Sequence, residues 1–256
     1  MTRHLVMFTP RTGSTFLSEV IAHQYGFHQY GESWHMPWHG KYKLINDISM
    51  LAQREYFIDS FSNTIDFLTE LDNRCDHLTN TENWVAKASV AFGVKIRPFI
   101  DHLIASGNTT IWLPYRKDIH KQFLSHINAI YRIKVLKETG FIHRKIGRHP
   151  YSKYTEINMS AEDVISKLKI MIMLLSCWRN VYDAYKDKVT LVCYEDHIIT
   201  NDLSKFGIDN ESIKTYNAGK LSLMPTPHNA YKFTDDTIWP MCTKILNRHK
   251  HLIEIH

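Results

Sequence analysis

The most constraining feature of the sequence is a short apolar run, residues 4–9, which passes through the turn PRTGST, residues 10–15, into an amphipathic segment. The run has the length of a buried strand, and apolar side chains then recur at helical spacing over residues 14–23. A helix that opens in this way presents its first backbone N–H groups and the positive end of its dipole to the turn. The pattern therefore predicts an anion-binding loop.

The side chains of this turn suit an oxyanion but not an ATP-type P-loop. Gly13 allows close approach of the backbone to a ligand, Ser14 and Thr15 add hydroxyl donors, and Arg11 adds a forked cation. An ATP-type loop has lysine after its last glycine, and here Ser14 follows Gly13. No cysteine lies in the turn, so a phosphatase nucleophile is excluded as well.

The rest of the chain alternates between strand-like and helix-like segments, which predicts parallel βαβ units and an α/β sheet. With 256 residues, the chain suits a single domain, residues 1–256, with loop insertions over residues 25–40 and 140–158. Further strands are expected at residues 84–90, 108–114 and 188–194, and helices at residues 45–71, 92–105, 118–136 and from Ser160 onward.

Composition excludes several classes of protein. The net charge of +5 comes without a run of more than two Lys or Arg residues, which suits a small anionic ligand better than nucleic acid. The four cysteines form no Cys-x-x-Cys pair, and no histidine set has metal-ligand spacing, so no metal is expected; Cys177 and Cys193 are expected to be buried thiols. Residues 1–8 are too short for a signal peptide, and residues 170–175 are too short to span a membrane, so we expect a cytoplasmic protein.

The segment PRTGSTFL, residues 10–17, resembles the 5′-phosphosulfate loop of sulfotransferases that use PAPS (3′-phosphoadenosine 5′-phosphosulfate). It looks closer to the carbohydrate and tyrosylprotein branches than to the cytosolic small-molecule branch. The resemblance implies a P-loop-NTPase-like central parallel sheet flanked by helices, with PAPS as co-substrate and PAP as product. It also implies donor binding by the loop residues Arg11, Thr12, Gly13, Ser14 and Thr15.

Two later segments resemble the same family. The family places an arginine after a strand and a serine in the following helix to bind the 3′-phosphate, which implies Arg116 and Ser125 here. Because the spacing is about one residue longer than usual, Lys117 could take the place of the arginine. The segment Tyr-Glu-Asp, residues 194–196, resembles a family marker at a strand end, where its physical role is a strand end and helix cap.

Candidates for the chemical step come from the resemblance. Glu32, in a Gly-Glu context, is the implied base, and His35 is the second candidate because it titrates near neutrality. Lys87, at the end of the second predicted strand, matches a position that contacts donor or acceptor. The acceptor is an unidentified hydroxyl compound, with carbohydrate favoured. The alternatives are a small-molecule or nucleotide kinase and a nucleotide-binding protein without turnover.

Overall fold

The first strand forms where the sequence predicts it, in the middle of a parallel sheet. The computed structural model describes residues 2–29, 83–90, 97–134, 156–219 and 232–255. All six residues of β1, Arg3–Phe8, are buried, as is usual for a strand with helices on both faces of its sheet. The strand pairs in parallel with two neighbours, so that Val6 lies beside Lys87 on one side and Trp112 on the other.

Five of the described strands form the main sheet, in the order β2-β3-β1-β4-β6, and two short strands pair separately. The bounds are β1 Arg3–Phe8, β2 His28–Gln29, β3 Trp84–Ser89, β4 Thr109–Tyr115, β5 Glu156–Ile157, β6 Val189–Cys193 and β7 Lys232–Phe233. Strands β2, β3, β1 and β4 are parallel to their neighbours. In the second sheet, β5 pairs with β7 in parallel.

The helices of the described residues are α1 Ser14–Tyr25, α2 Arg97–Ala105, α3 Ile119–Lys134, α4 Ala161–Tyr185, α5 Asn210–Gly219 and α6 Ile238–Arg248, with shorter turns at Tyr194–Ile198, Ser204–Phe206 and Lys250–Ile253. Pro98 is the second residue of α2, where proline is tolerated because its missing N–H would lack a helical partner. Helices therefore flank a central parallel sheet, and the predicted α/β class is confirmed. The finer P-loop-NTPase-like arrangement stays a prediction.

By their contacts, the described residues divide into two compact units. The first combines Met1–Phe8, Gly13–Pro114 and Asn180–Val192, and the second combines Thr9–Thr12, Tyr115–Arg179 and Cys193–His256. In the first unit, Leu5, Val6 and Leu17 are fully buried. The second unit has a core of α3, α4 and α6 side chains that includes Phe123 and Leu168. The expectation of one domain over residues 1–256 stays a prediction.

Several boundaries differ from the sequence prediction. Residues 140–158 were expected to be a surface excursion, but Glu156–Ile157 forms β5, with Ile157 buried. The predicted loop over residues 25–40 is wrong at its start, since Tyr25 ends α1 and His28–Gln29 forms β2. Cys193 is buried as expected, whereas Cys177 is only partly buried. The predicted helix over residues 45–71 lies outside the described residues.

Candidate functional site

The loop after β1 lies at the position where an open parallel sheet usually binds ligands. The chain passes from β1 to β3 on one side of β1 and later to β4 on the other side, so the strand order reverses between β1 and β4. Ligands of such sheets bind beyond the carboxyl ends of the strands at this reversal. The loop that begins at Thr9 follows β1, and Arg116 follows β4.

The backbone of this loop is left-handed at two positions. Arg11 has φ +67° and Gly13 has φ +75°. Glycine adopts such angles freely, whereas a residue with a Cβ loses roughly 1–2 kcal/mol. Strain of this kind at a non-glycine residue is characteristic of ligand loops, and turns with left-handed residues can form concave groups of N–H donors. The conformation of Arg11 therefore supports a binding role.

Helix α3 holds the first half of the loop through two polar side chains. Gln122 is fully buried, and its Nε2 donates to Thr9 Oγ1 at 2.9 Å and to the Pro10 carbonyl at 2.8 Å. Arg11 Nε donates to Ser125 Oγ at 3.0 Å. The two residues that the resemblance assigns to different phosphates of one donor thus lie in contact.

Thr12 differs from the other predicted loop residues in its role. Its side chain is fully buried, and its Oγ1 donates to the Thr9 carbonyl at 2.8 Å. This bond closes the turn from within. The Thr12 hydroxyl therefore stabilises the loop, and the expected contact of Thr12 with the donor stays a prediction.

The second half of the loop opens helix α1 in the first unit. Gly13 is the N-cap residue and has no side chain with which to cap the helix, and its carbonyl accepts the N–H of Leu17 at 3.0 Å. Thr15 Oγ1 accepts a hydrogen bond from Lys87 Nζ at 2.7 Å. A helix that starts at glycine offers its first amides to an anion instead of to its own cap.

Lys87 is buried, not solvated at a strand edge. It is the fourth of six residues in β3, and 3% of its surface is exposed. Its Nζ lies 5.1 Å from the centre of the Phe8 ring, within the range of a cation–π contact. The predicted bounds of this strand, residues 84–90, agree with β3 to within one residue, but Lys87 lies inside the strand and not at its end.

Arg116 is also buried, and its guanidinium is held from two directions in the second unit. Its Cζ lies 4.4 Å from the centre of the Tyr194 ring, and its Nε lies 3.4 Å from Glu195 Oε1. Arg116 Nε has no hydrogen-bond partner among the described residues, so its contact with Glu195 is an ion pair without a hydrogen bond. Among the residues that the structure describes, no acceptor bonds the two terminal nitrogens of Arg116.

Lys117, the alternative phosphate ligand, faces solvent. Its Nζ forms an ion pair with Asp196 Oδ2 at 2.5 Å, and more than half of its side chain is exposed. The hydrogen bond with Asp196 raises the pKa of Lys117, and the same bond lowers the pKa of Asp196. Of the two candidates, Arg116 is therefore the buried one and Lys117 the exposed one, and which of them binds a phosphate stays a prediction.

Helix α3 continues from Ser125 towards a small cavity. The cavity has a volume of about 260 Å³ and is lined by Ile130, Tyr131, Asn158, Met159, Ser160, Asp163 and Lys167. His126 lies one helical turn before Ile130, and burial together with the charges of Arg11 and Lys167 lowers its pKa to about 4. His126 is therefore uncharged at neutral pH.

Sequence reasoning identified most of the polar residues above but missed the residues that contact them. Glu32 and His35 lie outside the described residues, so their positions relative to Arg11 stay predictions. Gln122 and His126 carry no motif; their only signal is helical spacing, which puts them beside Ser125. Among the described residues, no group of three His, Cys, Asp or Glu side chains could hold a metal ion, and no helix is long and apolar enough to cross a membrane.

Comparison with known proteins adds no family to this geometry. No protein-family model matches the sequence. A search of curated proteins also finds no match. The assignment of a function therefore depends on the loop, the two arginines and the motifs that surround them.

Proposed function

We propose that the protein is a sulfotransferase, which moves a sulfuryl group from PAPS to the hydroxyl of an acceptor, with carbohydrate favoured. The observation that carries the proposal is the pair of arginines, Arg11 and Arg116, on the loops that follow the neighbouring parallel strands β1 and β4. Two such cations suit a ligand with two separate anionic groups. PAPS has this character, with a phosphosulfate at the 5′ position and a phosphate at the 3′ position.

The contacts of Ser125 support a role in donor binding. Its Oγ accepts the Arg11 Nε–H, which leaves the hydroxyl proton of Ser125 available. Within the described part of the chain, no acceptor takes that proton. Under the proposal, Ser125 donates it to a phosphate oxygen of the donor while Arg11 and Arg116 supply the positive charge.

The proposed chemistry is an in-line displacement at sulfur. A bond forms between the acceptor oxygen and sulfur, the bond from sulfur to the 5′-phosphate oxygen breaks, and PAP leaves with the negative charge. Glu32 takes the proton of the acceptor hydroxyl. Arg11 stabilises the charge on the leaving oxygen, as preorganised donors do in phosphoryl transfer.

The proposal is tested by calorimetric titration of the protein with PAP and, separately, with ATP and Mg²⁺. We expect PAP to bind and Arg11→Ala to weaken its binding by about tenfold to a hundredfold, since a charge-assisted contact contributes roughly 1.5–3 kcal/mol. Arg248→Ala is the matched control, because it removes the same charge from the exposed end of α6. It should leave PAP affinity unchanged.

Two results would contradict the proposal. If ATP with Mg²⁺ binds and PAP does not, the kinase alternative replaces it. If PAP binds but labelled PAPS gives no product with sugars, lipids or tyrosine peptides, the protein is a nucleotide-binding protein without turnover.

A further inference from the structure

The Tyr-Glu-Asp segment, residues 194–196, contacts residues 116–118, which directly follow β4. The Tyr194 ring packs against the guanidinium of Arg116, and the Asp196 carboxylate pairs with Lys117. Tyr194 also begins a π-helical turn, in which the Ile199 N–H donates to the Tyr194 carbonyl at 2.9 Å. π-helical turns are rare in proteins, and many of those that occur lie at functional sites.

Glu195 makes the central contacts of this arrangement. Its Oε2 accepts the backbone N–H of Lys117 at 2.9 Å, and its Oε1 accepts that of Asp118 at 3.3 Å. Oε1 also lies 3.4 Å from Arg116 Nε. One carboxylate thus fixes both the side chain of Arg116 and the backbone that leads into α3, the helix that carries Ser125.

The contacts with Arg116 leave one edge of its guanidinium for a ligand. Glu195 lies at Nε, and the Tyr194 ring covers one face. The terminal nitrogens have no partner among the described residues, and a pair of parallel N–H groups matches two oxygens of a phosphate. An arginine held in this way loses less side-chain entropy when it binds a phosphate than a freely rotating arginine does.

We propose that Glu195 is a positioning residue for Arg116 and thereby sets the preference for a nucleotide with a 3′-phosphate. This inference depends on the proposed function. Glu195 also carries a negative charge, which repels a phosphate. A quarter of the Glu195 side chain is exposed, so water screens its repulsion of the phosphate. Only 8% of the Arg116 side chain is exposed, so water has less effect on the orientation of Arg116. Loss of orientation should therefore dominate when Glu195 is replaced.

The experiment compares two nucleotides that differ only at the 3′ position. PAP and AMP are titrated into the wild-type protein and into Glu195→Gln and Glu195→Ala. We expect PAP affinity to fall about threefold for the glutamine variant and about tenfold or more for the alanine variant, with AMP affinity within about twofold of wild type. The order follows because glutamine keeps one acceptor oxygen for the backbone N–H groups.

Asp196→Asn is the matched control, because it removes the same charge from the next residue, whose carboxylate pairs with the exposed Lys117. It should leave the ratio of PAP to AMP affinity unchanged. A higher PAP affinity for Glu195→Gln would overturn the inference and show that repulsion dominates. Equal losses for PAP and AMP would also overturn it, since Glu195 would then only maintain the fold. Failure of the wild-type protein to bind PAP would instead refute the proposed function.

Discussion

At the scale of single residues, the left-handed backbone of Arg11 allows two variants of this residue to differ in stability but not in ligand affinity. Arg11→Gly and Arg11→Ala both remove the side chain and its bond to Ser125, so they differ only in how well the residue tolerates φ +67°. Glycine tolerates this angle, whereas alanine retains the strain. We expect the glycine variant to have a free energy of unfolding about 1 kcal/mol higher than the alanine variant. Urea denaturation measures the difference.

Binding should not follow the same order. Since both variants lack the guanidinium, each should lose PAP affinity to a similar extent. The interpretation of Arg11 as a strained ligand residue is wrong if the alanine variant is as stable as the glycine variant. Gly207, with φ +74° in a separate turn, gives the calibration, because Gly207→Ala should lose a comparable amount of stability.

At the scale of elements, a serine side chain caps the start of α4. Ser160 Oγ accepts the backbone N–H of Asp163 at 3.1 Å and donates to Asp163 Oδ2 at 2.9 Å. Ser160→Ala removes this cap and should lower the free energy of unfolding by about 1 kcal/mol. Ser166→Ala, at an exposed position within the same helix, should be neutral or slightly stabilising because alanine is the better helix former. Thermal unfolding distinguishes the two, and equal effects would contradict the capping role.

The elements also show what the sequence could and could not predict. The loop, α3 and β4 follow from local patterns, because apolar spacing and turn residues fix them within a few positions. The burial of Lys87 does not follow, since it depends on Thr15 and Phe8 contacts between residues far apart in the chain. The same holds for Glu195: the motif is visible in the sequence, but its bonds to the start of α3 require the fold.

At the scale of the whole molecule, buried neutral histidines make stability depend on pH. His4 Nδ1 accepts the indole N–H of Trp112 at 2.9 Å, and its ring stacks on Tyr25 at 5.4 Å between centroids. Burial lowers the pKa of His4 from 6.5 to about 4. Between these values the unfolded chain binds a proton at this residue and the folded protein does not. Stability is therefore fully present above pH 6.5 and is lost as the pH falls towards 4.

His4→Gln tests this dependence, because glutamine does not titrate but can still accept the Trp112 N–H. For wild type, the His4 contribution should lower the free energy of unfolding by roughly 2 kcal/mol between pH 7 and pH 4.5. Asp118 should not contribute between pH 7 and pH 4.5. Burial raises its pKa, but the hydrogen bonds with Lys121 outweigh burial and lower the pKa below its usual value of 3.8. Urea denaturation at both pH values should therefore show a smaller pH-dependent loss in the variant than in wild type. If the two lose stability equally, His4 is charged in the folded protein, and its stacking with Tyr25 is that of an imidazolium.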